Sequence, residues 1–172
     1  MPQQDALHLA RWTVTSGSNA KSRGAVVIEA GDHHWQASAS GNGAVDALFR
    51  AVDKALAEVL AGHPRLVGFV VRSLGEGPGA EGLVTVTILP PANAEGPRGE
   101  GEYSGASTST NIIAASIEAY VEALNKMLHE AHWAGAAETA AAPKRRPRPT
   151  PRQRAEFDRD KAKHDTTAWF ER

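Results

Sequence analysis

The stretch Gly41-Asn42-Gly43-Ala44-Val45-Asp46-Ala47-Leu48-Phe49-Arg50-Ala51 is where the chain changes its period. Before it, apolar residues recur at every second position; after it, they recur at threes and fours. Val45, Leu48, Phe49, Val52, Leu56, Val59 and Leu60 form the stripe of an amphipathic helix packed on a sheet. Asp46 stands in the first turn of that helix, where a carboxylate suits the helix dipole. Gly62-His63-Pro64 ends it.

Upstream of this point the sequence predicts three short strands joined by tight turns. They are Leu7–Ser16, Gly24–Ala30 and His34–Ser40, punctuated by Gly17-Ser18-Asn19 and Gly31-Asp32. Downstream the pattern repeats. Leu66–Ser73 reads as a well-buried strand, Gly75–Gly82 as a glycine-rich loop, and Leu83–Leu89 as an alternating strand. Pro90–Gly99 is a loop and Glu102–Ser107 the sixth strand. Ser107-Thr108-Ser109-Thr110-Asn111 is a run of helix-capping residues. The helix that follows turns Ile112, Ile113, Ser116, Ala119, Tyr120, Ala123, Leu124, Met127 and Leu128 inward.

Three strands and a helix, twice, make an α+β domain: an internally duplicated (βββα)2 unit with pseudo-twofold symmetry over residues 1–133. One sheet and one helix bury too little alone, so the halves pack together. Any sheet face left open is expected to seek a second copy of the chain.

Composition narrows the function. With 172 residues, 41% hydrophobic and 23% charged, the chain suits one globular domain. It is short of a (β/α)8 barrel, which takes about 250 residues. The absence of cysteine excludes disulfides, thiolate metal sites and a thiol nucleophile. No apolar run is long enough for a membrane span and Met1–Ala6 carries no secretion signal, so a cytoplasmic location with no membrane contact is expected.

The net charge of −1 conceals an asymmetry. Residues 1–143 hold 9 Lys+Arg against 15 Asp+Glu, whereas residues 144–172 hold 10 against 5. Lys144–Arg154 has six basic residues, no acidic ones, and Pro147, Pro149 and Pro151, which exclude helix or inner strand. The expected organisation is therefore an Ala/Pro/Arg-rich linker at 134–152 and a charged tail at 153–172, read as disordered with a short exposed helix. The basic tract has three readings: a solubilising linker, a contact to nucleic acid or another polyanion, or docking on an acidic partner.

The two strand-to-helix turns are the candidate binding elements. Gly41-Asn42-Gly43 lets backbone approach a ligand closely, and open N–H groups at a helix start favour carboxylate or phosphate. Ser107–Asn111 supplies the second such turn. Both also read as ordinary caps. His33-His34 and His129-Glu130-Ala131-His132 lack a third ligand at metal-site spacing and read as surface histidines. Ser107–Thr110 reads as capping rather than nucleophilic, and Asn125 as bonding a loop backbone. No catalytic residue, metal or cofactor is expected.

The first stretch closely resembles the Gly-x-Gly-Pro-Val-Asp-Ala-Leu-x-x-Ala signature of the C-terminal regulatory domain of α-isopropylmalate synthases. Thr110-Asn111-Ile112-Ile113-Ala114-Ala115-Ser116, followed by Ala119-Tyr120 and Ala123-Leu124-Asn125, resembles the second signature, Thr-Asp-Ile-Ile-Glu-Ala-Ser. Between them, Phe69-Val70-Val71 and Gly77-Pro78-Gly79-Ala80-Glu81-Gly82 are similar to its aromatic strand and Gly-x-Asp-Ala-x-Gly segment. The likeness spans Leu7–Leu128, with departures at Ala44 (for Pro), Gly79 and Asn111 (for Asp) and Ala114 (for Glu).

The resemblance implies a homodimeric domain that binds leucine, or isoleucine in the citramalate synthase relatives, and inhibits a separate catalytic barrel. It implies backbone contacts from Gly41, Asn42 and Gly43, with Val45 and Ala47 beside them. Phe69 would stand where Tyr is frequent and Ser73 where Ala is usual, with Ala80, Gly82 and Ile112 completing the wall. The chain is then non-catalytic on its own, either a free-standing paralogue that senses an amino acid or a regulator of a synthase subunit in trans. The alternative is a dimeric scaffold that has lost its ligand and works through the basic tail on nucleic acid or another acidic partner.

Overall fold

The structure, a computed structural model, describes residues 5–137. Its elements run β1 (His8–Gly17), β2 (Ala20–Ala30), β3 (His33–Gly41), α1 (Ala44–Ala55), the one-turn α2 (Ala57–Leu60), β4 (Arg65–Ser73), β5 (Gly82–Leu89), β6 (Tyr103–Ser109) and α3 (Ile112–Leu128). They form two antiparallel three-stranded sheets of order β1-β2-β3 and β4-β5-β6. Each sheet carries the helix that follows it, α1 over β2 and β3 and α3 over β5 and β6. The duplicated βββα arrangement expected from the sequence is present.

Alternation makes each central strand the floor of its half. Ser22, Gly24, Val26, Ile28 and Ala30 of β2 are buried, as are Gly82, Val84, Val86 and Ile88 of β5. The helices lay Leu48, Val52, Ile117 and Leu124 onto these floors, and one continuous apolar cluster takes residues from both halves. At Gly105 the approach is closest. A Cβ there would meet the Ala119 carbonyl at 2.1 Å and the Ala123 nitrogen at 2.5 Å, so α3 lies against bare backbone.

Three expectations are corrected. The first helix is not continuous: it breaks at Leu56, whose φ of −101° lies outside the helical well, and resumes as α2. Leu56, Val59 and Leu60 remain in the core on either side of the break. The strand read as well buried, β4, is instead exposed along its length, with Leu66, Val67, Phe69, Val70 and Val71 between 41% and 54% accessible. It is an edge strand lying outside the span of α3, and apolar composition alone cannot tell burial within a chain from burial against another. Ile112, expected to face inward, is likewise exposed.

The histidines divide. His34 and His129 are exposed, whereas His33 and His132 are half-buried, each with a ring nitrogen that has no partner among the described residues. Beyond α3 the core continues through Trp133, Ala136 and Ala137. Of the linker read at 134–152 only 134–137 are among the described residues. The Lys144–Arg154 tract and the 153–172 tail lie outside them. Among the described residues, no helix is long and apolar enough to cross a membrane.

Candidate functional site

The turn from β3 into α1 is drawn tight by one residue type. A Cβ on Gly41 would meet Asp46 Oδ2 at 2.5 Å and the Ala47 nitrogen at 2.6 Å, so only glycine lets the helix start this close. Gly43 is the N-cap and has no side chain to satisfy the first N–H groups. Asp46 reaches back instead, accepting the Asn42 N–H at 2.9 Å. That bond, opposed by slight burial and aided by Arg50, holds the Asp46 carboxyl below its ordinary pKa. Arg50 Nε pairs with Asp46 at 3.0 Å in an i,i+4 contact that is too exposed to contribute much stability.

The second turn is capped in the ordinary way. Asn111 Oδ1 accepts from the Ile113 and Ala114 nitrogens at 3.0 and 3.3 Å, and Ser109 Oγ accepts from Asn111. The capping role read for this run holds at Asn111, supported by Ser109, whereas Ser107–Ser109 are the end of β6 and Ser107 donates to Glu118.

The ten residues implied by resemblance fall into groups. Gly41, Asn42, Gly43, Val45 and Ala47 gather at the start of α1, with Gly41 and Ala47 buried. Ser73 and Gly82 are paired across β4 and β5, and Ile112 lies against Gly82 at the start of α3. Ala80 is in the hairpin between them, its N–H donated to Gly77. Phe69 connects β4 to the first half, its ring edge-on to Phe49 of α1 with centroids 6.1 Å apart.

The duplication also leaves two clefts, each between a helix and the first strand of the opposite half. One, of about 590 Å³, lies between α3 and β1 and includes Arg11, Glu118, Val121 and Asn125. The other, of about 510 Å³, lies between α1 and the start of β4 and includes Phe49, Arg50, Asp53, His63, Leu66 and Tyr120. None of the ten residues above lines this second hollow.

Its floor is aromatic: Phe49 stacks on Tyr120 with ring centroids 4.4 Å apart. The Tyr120 hydroxyl donates to Asp53 Oδ1 across the junction between the halves. Burial pushes the Asp53 carboxyl up to about 6, against the opposing pull of Tyr120, His63 and Arg50. Burial and the neighbouring Asp53 charge push the Tyr120 phenol well above its usual value.

Sequence reading placed Tyr120 inward and passed over Asp53. The available signal was an acid four residues after Phe49 and three before Leu56, at the margin of the apolar stripe. Its hydrogen-bond donor, Tyr120, lies 67 positions away.

Two helix-backed antiparallel sheets, one ending in an uncovered apolar edge strand, define the class as a duplicated βββα module. Within it, the chain belongs to the family of the LeuA allosteric (dimerisation) domain, whose model matches residues 1–128. It is 37% identical over 124 residues to a 2-isopropylmalate synthase of Salinibacter ruber, covering 72% of this chain and 20% of that protein. It is 37% identical over 122 residues to that of Acidimicrobium ferrooxidans (71% and 21%) and 32% over 127 residues to that of Nitrosococcus oceani (74% and 22%). The chain spans about a fifth of the length of these relatives.

Proposed function

We propose that this domain is non-catalytic by itself, binds leucine or isoleucine, and regulates the catalytic part of a 2-isopropylmalate synthase as a homodimer. The observation that carries the reading is the match of residues 1–128 to an allosteric domain family, at relatives that are synthases. The ligand-binding residues are Gly41, Asn42, Gly43, Val45 and Ala47 at the first turn, with Phe69, Ser73, Ala80, Gly82 and Ile112 from the second half. Apolar burial of a branched side chain, worth about 25 cal/mol per Å², supplies affinity. Backbone groups at the turn orient the charged end.

The dimer face in this reading is β4. An edge strand with unpaired backbone groups and apolar residues on both faces is a template for another strand, and a second copy offers the same strand. The test is calorimetric titration and thermal shift with leucine, isoleucine and valine, alongside light scattering. Heat and a raised Tm with leucine or isoleucine on a dimeric species are expected. A folded dimer silent to all three replaces the sensor with a ligand-free scaffold.

A further inference from the structure

We infer that the hollow between α1 and β4 binds a small molecule carrying a protonated primary amine on an apolar body, with Asp53 as its counter-ion. The site goes beyond the reading above, since none of the ten ligand residues lines it.

Three observations carry it. Asp53 is a half-buried carboxylate that, among the described residues, forms no ion pair and takes a hydrogen bond from Tyr120 alone, the charges of His63 and Arg50 reaching it only from beyond contact distance. Arg50 has its Nε turned to Asp46. A carboxylate partly withdrawn from water without a paired cation is costly, and an incoming ammonium group supplies that cation.

The fold does not demand the acid. Asp53 lies ten residues past its N-cap Gly43, and Val121 lies ten past its N-cap Asn111, each lining the cleft of its own helix. Val121 is buried hydrocarbon. The same position thus accepts an apolar side chain in one half and keeps a carboxylate in the other.

The hollow has the shape of a ligand site as well as its charge. Phe49, Leu66 and Tyr120 give an apolar and aromatic surface beside the carboxylate, which suits an alkyl chain and an ammonium group together. Arg50 and His63 on the same wall suit a carboxylate if the amine belongs to an amino acid.

The test titrates the full chain near neutral pH with isoamylamine, leucine and isovalerate, followed by calorimetry and ligand-observed NMR. Isoamylamine is expected to bind and isovalerate to stay silent. Asp53→Asn, which keeps an acceptor for Tyr120, is expected to weaken the amine by at least about tenfold. Asp53→Val, copying Val121, is a second variant that keeps the fold and loses the amine. A leucine affinity that falls together with that of isoamylamine in Asp53→Asn identifies an amino acid as the source; leucine binding unchanged there, with the amine lost, identifies a free amine. Wild type silent to the amine, or amine binding unchanged in either variant, overturns the site. Leucine bound by a wild type that is silent to the amine overturns the site and leaves the regulatory reading standing. Amine binding through Asp53 with no response to leucine, isoleucine or valine does the opposite.

Discussion

Asn125 satisfies both backbone groups of Leu7. Its Oδ1 accepts the Leu7 N–H at 2.7 Å and its Nδ2 donates to the Leu7 carbonyl at 2.9 Å. One amide from α3 thereby fixes the entry into β1 across the two halves and holds Leu7 in the core. Replacing Asn125 by Leu strands two partly buried polar groups, each worth roughly 1 to 3 kcal/mol when left unpaired. The expected result is a fall in stability of that order in urea unfolding, with faster amide exchange at Leu7 and His8.

Asp53 gives a pH dependence with a definite sign. Its folded pKa, about 6, is above the ordinary 3.8, so the folded state binds the proton more tightly. The stability held by the protonated form is fully present below pH 3.8 and is lost as pH rises through about 6. The loss is at most roughly 3 kcal/mol. Asp53→Asn removes this dependence. Urea midpoints measured from acid to neutral pH are expected to diverge in that window, with the variant more stable than wild type above it.

Gly105 is the contact point of α3 with its sheet. Gly105→Ala drives a methyl group into the Ala119 carbonyl, and the helix has to shift. Overpacking of this kind costs roughly 1 to 3 kcal/mol or more. Thermal unfolding is expected to show a large drop in Tm. An unchanged Tm shows that α3 lies farther from β6 than described.

Val70 tests the dimer face without touching the ligand residues or the core. It lies opposite Thr85 on the outer side of β4 and is 54% exposed. A charge there opposes strand-to-strand association, as inward or edge lysines do in natural sheets. Val70→Lys is expected to halve the mass in light scattering with an unaltered circular dichroism spectrum. A variant that stays dimeric places the interface elsewhere.

Most of the fold was legible because its signals are local. The Gly41-Asn42-Gly43 break, the capping run ending at Asn111 and the two apolar stripes each act within a few residues, and each marks a helix, the first of them interrupted at Leu56. The candidate site was legible only as a set of positions on a resemblance. Asp53 shows why: as a lone acid on a helix margin it looks solvated, and its hydrogen-bond partner Tyr120 arrives from the other half.

Local chemistry, written into period, turn residues and caps, by itself determined that this chain is two sheet-and-helix units in series. Tertiary structure alone decided that β4 is left bare and that a carboxylate and a phenol meet in a hollow between halves. Those outcomes depend on which surfaces meet once residues far apart in sequence come together, and no window along the chain contains both sides of such a contact.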